Sequence, residues 1–274
     1  MVLVKMRILY LILALLYTLL LIPFSVEAQS MEEYKREKFI EENDTLNYRI
    51  LYPENFIQSK NYPLVLFLHG AGERGDDNSA QLTHGGDLFL KEEIRKKFPA
   101  IVIFPQTPKE DYWARVEVDR EVKPFEFSFK KEEGPTTSLQ LVMALLNSVS
   151  REEFVDKDRI YVGGLSMGGM GTYELIYRQP EMFAAAFAIC GGADPAIVEK
   201  YPVGFPIWIF HGEKDDIVPP EFSKIMAREI NSYGGNAKLS LYPEDNHNSW
   251  DSALAEPYLL PWLFSHKKMN KAIE

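Results

Sequence analysis

Tyr161-Val162-Gly163-Gly164-Leu165-Ser166-Met167-Gly168-Gly169-Met170-Gly171 is the stretch whose reading decides the fold. In front of it Arg159-Ile160-Tyr161-Val162 forms a short apolar run, the pattern of a buried strand. Behind it Thr172 to Arg178 reads as a helix. Gly164, Ser166 and Gly168 make a Gly-x-Ser-x-Gly pattern between the two. That pattern alone is weak, because glycine-rich loops produce it by chance. Strand before and helix after give it the setting of a strained strand-to-helix corner with the serine at its tip. Side chains at the flanking glycines would collide with the neighbouring strand and helix, and the helix start turns free N–H groups and its positive end toward the serine.

The segments on either side supply a sheet for such a corner. Tyr62-Pro63-Leu64-Val65-Leu66-Phe67-Leu68 is apolar throughout, as in a central strand covered on both faces, and runs into His69-Gly70-Ala71-Gly72-Glu73-Arg74-Gly75. A helix over 86–97 and a second apolar strand over 100–104, stopped by Pro105, come next. Residues 106–135 lack a period but carry Trp113, Phe125, Phe127 and Phe129, so they read as an irregular pocket wall or lid, with a surface insertion as the alternative. Thr136-Thr137-Ser138 can cap a helix over 139–154. Further strands are predicted over 184–190, 206–210 and 237–242, and helices over 220–232 and 251–264. Near the start, residues 39–52 alternate about Asn43-Asp44 as an antiparallel hairpin that Pro53 ends. Strands alternating with helices predict an α/β protein, a mostly parallel central sheet with helices on both faces and an N-terminal antiparallel hairpin.

Residues 1–28 have the composition of a signal peptide: Lys5 and Arg7, an apolar run from Ile8 to Ile22 broken only by Thr18, then Val26-Glu27-Ala28 before Gln29. The run is short of the roughly 20 residues of a spanning helix. Export to the periplasm or medium is therefore expected, with no stable membrane association after cleavage and an uncleaved anchor as the alternative. A charged lead-in over 29–38 and one domain over 39–268 complete the expected organisation, and the 274 residues, 46% of them apolar, suffice for one large core. The net charge of −10 argues against a nucleic-acid partner, which calls for clustered cations. The single cysteine, Cys190, rules out an intrachain disulfide and reads as a buried, inert thiol. No Gly-x-x-x-x-Gly-Lys occurs and Asp76-Asp77-Asn78 reads as a solvated turn, so neither a cofactor nor a metal is expected.

A serine hydroxyl is a weak nucleophile until an imidazole takes its proton and a carboxylate orients that imidazole. In a parallel sheet such groups collect at the carboxyl ends of strands. Asp215, in His211-Gly-Glu-Lys-Asp215-Asp-Ile-Val-Pro219, follows one strand; Asp216 is its main rival and Asp194 a weaker one. His247 lies in the loop after the last strand, whereas His69 and His211 each end a strand as His-Gly and read as structural rings bonded to loop backbone. The acyl oxyanion needs two fixed N–H donors. Met167, next to the serine, supplies one, and the His69 loop the other, through Ala71 with Gly72 as the alternative. Trp113, Glu73 and Trp250 are the expected substrate contacts.

His69-Gly-Ala-Gly-Glu-Arg-Gly75, Gly-Leu-Ser166-Met-Gly-Gly, the Asp215 segment and Asn-His247-Asn-Ser-Trp250 together resemble the bacterial α/β-hydrolases related to dienelactone hydrolase and phospholipase/carboxylesterase. More closely, they are similar to a secreted esterase-like group often called predicted peptidases. The resemblance spans about residues 39–265. It implies Ser166, Asp215 and His247 as triad and Ala71 and Met167 as oxyanion donors. One departure is Asn246 before His247, where a glycine is usual; it is expected only to shift the loop. The function expected is hydrolysis of carboxylic esters, including acetyl or feruloyl esters of polysaccharides. A serine peptidase of the prolyl-oligopeptidase type is the rival within enzymes, though the chain has no room for a gating propeller. An inactive hydrolase fold used as a binding module is the rival outside them.

Overall fold

The computed structural model describes residues 30–268; the leader expected over 1–28 lies outside them. Ten strands and seven helices are described: β1 Lys35–Glu41, β2 Asp44–Leu51, β3 Tyr62–Leu68, α1 Gly86–Leu90, α2 Glu92–Lys97, β4 Ile101–Gln106, β5 Val116–Asp119 and β6 Glu126–Phe129. Then follow α3 Thr137–Val149, β7 Val155–Leu165, α4 Met167–Arg178, β8 Ala185–Ile189, β9 Pro206–Gly212, α5 Glu221–Ser232, β10 Asn236–Tyr242, α6 Trp250–Leu254 and α7 Leu259–Ser265.

Eight strands form one sheet in the order β1-β2-β4-β3-β7-β8-β9-β10. From β4 to β10 every pairing is parallel, and β1 and β2 join as an antiparallel edge. Side chains alternate across a strand, so the wholly buried β3 feeds two cores at once. Leu64, Leu66 and Leu68 face a layer containing Leu139, Leu145, Tyr173, Ile176 and Met226 of α3, α4 and α5. Val65 and Phe67 face Phe89, Ala253, Leu259 and Leu263 of α1, α6 and α7. Helices thus cover both faces, as the alternating sequence pattern predicts. Thr136 caps α3 by accepting the Leu139 N–H at 3.2 Å.

Several boundaries depart from the sequence reading. The segment 35–38 is strand, not lead-in: β1 is a solvated edge whose charged residues hide its register. The stretch just before it is anchored as well, because Tyr34 donates its hydroxyl to the Gly86 carbonyl at 2.9 Å and buried Arg49 donates to the Met31 carbonyl at 2.6 Å. β4 runs through Pro105 to Gln106. The helices expected over 86–97 and 251–264 are each two short ones, parted at Lys91 and across 255–258.

The region 106–135 differs most, since it contains the antiparallel hairpin β5–β6. Phe127 and Phe129 pack edge-on against Phe222, and the Phe125 N–H donates to the Ile217 carbonyl at 3.1 Å. The hairpin is therefore fastened to the loop that carries Asp215. Trp113, expected to touch substrate, has no exposed surface. Its indole N–H donates to the His69 carbonyl at 3.0 Å and its ring meets His69 edge-on. An aromatic residue in an unpatterned stretch carries no sign of which way it points, and here it points inward. Trp113→Ala should cost about 3–5 kcal/mol of stability through the cavity it leaves. Thermal melting should show a marked drop; unchanged melting with an altered substrate preference would return Trp113 to the pocket.

Candidate active site

Ser166 stands between the end of β7 and the start of α4 with φ 53° and ψ −116°. A non-glycine residue at positive φ costs on the order of 1–3 kcal/mol and persists only where its surroundings enforce it. Two glycines let them do so. A Cβ on Gly168 would lie 1.9 Å from the Leu68 carbonyl oxygen, and one on Gly164 would lie 2.5 Å from the Gly168 carbonyl oxygen. The Ser166 N–H is fixed by the Ile189 carbonyl of β8 at 2.8 Å, and Ser166 accepts the Met170 N–H of α4 on its own carbonyl at 3.0 Å.

The three side chains singled out from sequence meet. Ser166 Oγ lies 2.9 Å from His247 Nε2, and His247 Nδ1 lies 2.8 Å from Asp215 Oδ2. A carboxylate accepts only, so Nδ1 carries the proton and Nε2 presents its lone pair to the serine hydroxyl. The Asp215 side chain is wholly out of solvent, while the His247 ring keeps an open edge. Asp215 Oδ1 accepts the Ile217 and Val218 N–H groups, each at 2.9 Å. Burial by itself would raise this carboxyl. Hydrogen bonds from His211, His247 and the Ile217 N–H outweigh it and hold the group well below the usual carboxylate range.

The rival carboxylates are engaged elsewhere. Asp216 is exposed, and Asp194 accepts the Ala196 N–H at 2.9 Å as the cap of a 3₁₀ turn. Asn246 does more than displace its loop: its Oδ1 accepts the His247 N–H at 2.7 Å and the Asp216 N–H at 3.2 Å, tying the base loop to the acid loop. His69 is structural as expected. It donates from Nδ1 to the Gly70 carbonyl at 2.6 Å and accepts the Thr107 N–H at 3.2 Å, and burial pushes it down to about 4, so it is neutral at pH 7. His211 bonds backbone too, at the Val218 carbonyl, but it also reaches Asp215 Oδ2 at 3.1 Å and Ser223 Oγ at 2.6 Å. Sequence reading missed both contacts. The spacing of four residues between His211 and Asp215 was the available sign, and Ser223 offered none.

Ala71 opens a 3₁₀ turn just past β3, and Met167 is the first residue of α4. Among the described residues neither N–H donates to a protein acceptor, which leaves both available to an oxyanion. Trp250 stands edge-on to the His247 ring at 5.5 Å and beside His84 at 5.0 Å. One Glu73 carboxylate oxygen lies 3.7 Å from His84 Nε2, and the other is buried without a hydrogen bond. Cys190 is a buried thiol, and its sulfur lies with the ligating atoms of Asp215 and His247 inside 4.8 Å, the one such group among the described residues. With both Asp215 oxygens already accepting two donors each, the arrangement is suited to relaying a proton.

A parallel sheet in this strand order, with a serine at the β7–α4 corner and an acid and a histidine after β9 and β10, defines an α/β-hydrolase. Residues 55–257 match the phospholipase/carboxylesterase family, and the chain belongs to that family of carboxylic ester hydrolases. It is 27% identical over 194 residues to the lysophospholipase-like protein 1 of Mus musculus, covering 67% of this chain and 79% of that one. It is also 27% identical over 191 residues to the bifunctional acetylxylan esterase/xylanase XynS20E of Neocallimastix patriciarum, covering 69% of this chain and 24% of that one. Among solved structures a thermostable esterase superposes with a TM-score of 0.78 at 32% identity, over 87% of this chain and 64% of its own. A ferulic acid esterase shares the fold with a TM-score of 0.60 at 15% identity, over 84% of this chain and 97% of its own. This chain thus spans about two thirds of the thermostable esterase and a quarter of the acetylxylan esterase/xylanase.

Asp215→Asn should lower kcat on the order of 10⁴-fold, the cost of losing the partner that fixes the imidazole tautomer. Asp216→Asn should change kcat little, and steady-state kinetics giving the reverse order would exchange the two roles.

Proposed function

We propose that this chain is an exported serine esterase that cleaves carboxylic esters through an acyl-enzyme on Ser166, with acetyl or feruloyl esters of polysaccharides as its substrate class. The observation that carries the mechanism is the 2.9 Å contact between Ser166 Oγ and His247 Nε2, backed by the buried Asp215. Oγ attacks the ester carbon while its proton passes to Nε2. Asp215 stabilises the imidazolium that forms and keeps Nδ1 protonated. The carbonyl oxygen gains charge and turns to the Ala71 and Met167 N–H groups, each such donor being worth roughly 3–4 kcal/mol of barrier. The imidazolium then gives its proton to the departing alcohol, leaving the acyl group on Ser166. Water, deprotonated by Nε2, attacks the acyl carbon; the acid leaves and Oγ recovers its proton.

The substrate class rests on the acetylxylan esterase relative and on the aromatic surface of the β5–β6 hairpin and Phe222 beside the acid loop. Export rests on the make-up of residues 1–28. No helix among the described residues is long and apolar enough to cross a membrane.

Purified protein assayed on acetyl, feruloyl and longer-chain esters beside peptide anilides should turn over the esters. Ser166→Ala should lose turnover by on the order of 10³-fold or more while melting as the wild type does. Anilides cleaved faster than esters would favour a peptidase, and no turnover of either would favour a binding module. The secreted protein should begin at Gln29, which N-terminal mass spectrometry reads directly; an intact Met1 in the membrane fraction would make the leader an anchor.

A further inference from the structure

Asp215 is shared by two imidazoles. Oδ2 accepts from His247 Nδ1 at 2.8 Å and faces His211 Nε2 at 3.1 Å, and both the His211 and Asp215 side chains have no solvent exposure. His211 Nε2 also faces the Val218 carbonyl at 2.9 Å. Two acceptors at one nitrogen mean that Nε2 bears the proton and divides it between them. In the neutral ring Nδ1 then accepts, and its partner among the described residues is the Ser223 hydroxyl at 2.6 Å, from the first turn of α5. Ser223 is itself fully buried, with the Gly191 carbonyl 3.4 Å away as a second acceptor for its proton and the Tyr173 phenol beside it. The row therefore runs Ser223, His211, Asp215, His247, Ser166, with the Ser223 proton directed along it when it goes to Nδ1, the nearer of its two acceptors.

We propose that His211, held in one tautomer by Ser223, is a positioning residue that aims the Asp215 carboxylate and limits how strongly it draws on His247. This rests on the reading of Ser166, Asp215 and His247 as the triad. The physical reason is competition for one oxygen. Charge that Oδ2 gives to the His211 proton is withheld from the His247 proton, so His211 makes Asp215 a weaker acceptor for the imidazolium. It also fixes the plane of the carboxylate. Oδ1 is held by two backbone N–H groups, and without His211 the other oxygen would be held only by the group whose orientation it is meant to set.

The surroundings contain few groups that could confuse the effect. The Cys190 thiol after β8 and the Tyr173 phenol on α4 are both pushed up by burial and stay neutral through the working range. Glu213, Lys214 and Asp216 flank the pair on the exposed side of its own loop. Asp245 comes from the loop after β10, whose backbone packs against Gly212.

Three variants separate positioning from packing. His211→Phe keeps a ring but removes the donor; His211→Gln returns an N–H at the reach of Nε2; Ser223→Ala frees the tautomer. On an aryl acetate, His211→Phe should lower kcat by roughly ten- to a hundredfold, the equivalent of one hydrogen bond to a charged group. The acid limb of kcat/KM should move to higher pH, because an Asp215 released from His211 stabilises the His247 imidazolium more. His211→Gln should recover most of both effects, and Ser223→Ala should show them in weaker form. Proton NMR of the wild type and His211→Gln should show the same low-field His247 Nδ1–H signal, displaced in His211→Phe. An unmoved acid limb and unmoved signal in a folded His211→Phe, whatever its rate, would overturn the proposal and leave His211 as packing. Should His211→Phe fail to fold, Ser223→Ala decides it: a wild-type pH profile and an unmoved His247 signal in that variant overturn the proposal. Loss of all ester turnover in the wild type is a different result, which would sink the triad reading and this inference with it.

Discussion

Among the described glycines the tightest backbone approach is between the end of β3 and the first turn of α4, where no side chain fits between the Leu68 carbonyl and Gly168. That contact forces the chain round the corner at Ser166 in a torsion range few side chains adopt. The cost, on the order of 1–3 kcal/mol, is borne by the two cores that clamp the central strands. In return the hydroxyl stands above the sheet with the start of a helix behind it. The rest of the site is arranged around that fixed point: the His69–Gly75 loop continues from the same β3, and Asp215 and His247 follow β9 and β10.

A second constraint is the isolation of Asp215. A carboxylate removed from water is tolerable only with its lone pairs engaged, and here two backbone N–H groups and two imidazoles engage them. The acid loop is held from several sides to keep this arrangement. Asn246 ties it to the base loop and the β5–β6 hairpin is hydrogen-bonded to Ile217. The hairpin is thus joined to the element that carries Asp215.

Membership of the phospholipase/carboxylesterase family accounts for the sheet and for the class of chemistry. It does not account for two clusters: Trp250, His84 and Glu73, with Trp250 against the His247 ring, and the phenylalanines of the hairpin and α5, packed with Met170 and Val218. Those two groups differ in character, one polar and aromatic and the other wholly apolar.

Much of this was legible in the residues before any coordinates. The all-apolar run of β3, the glycine-serine corner and the alternation of strands with helices depend on local sterics and on period, which a sequence displays directly. The order Ser166, Asp215, His247 was readable because each group follows a strand and so must lie on one rim of a parallel sheet. What the chain could not disclose is where side chains without a period point. Trp113 is as aromatic as Trp250, yet it is sealed beneath the His69 loop, while Trp250 stands beside the base. His211 bears the same His-Gly signature as His69, yet one braces a loop and the other touches the buried acid. The charged edge strand β1 declared itself only through its partner. Local sequence decides which torsions a segment can adopt, whereas contact between segments far apart in the chain depends on how the whole sheet packs, and only the tertiary structure settles that.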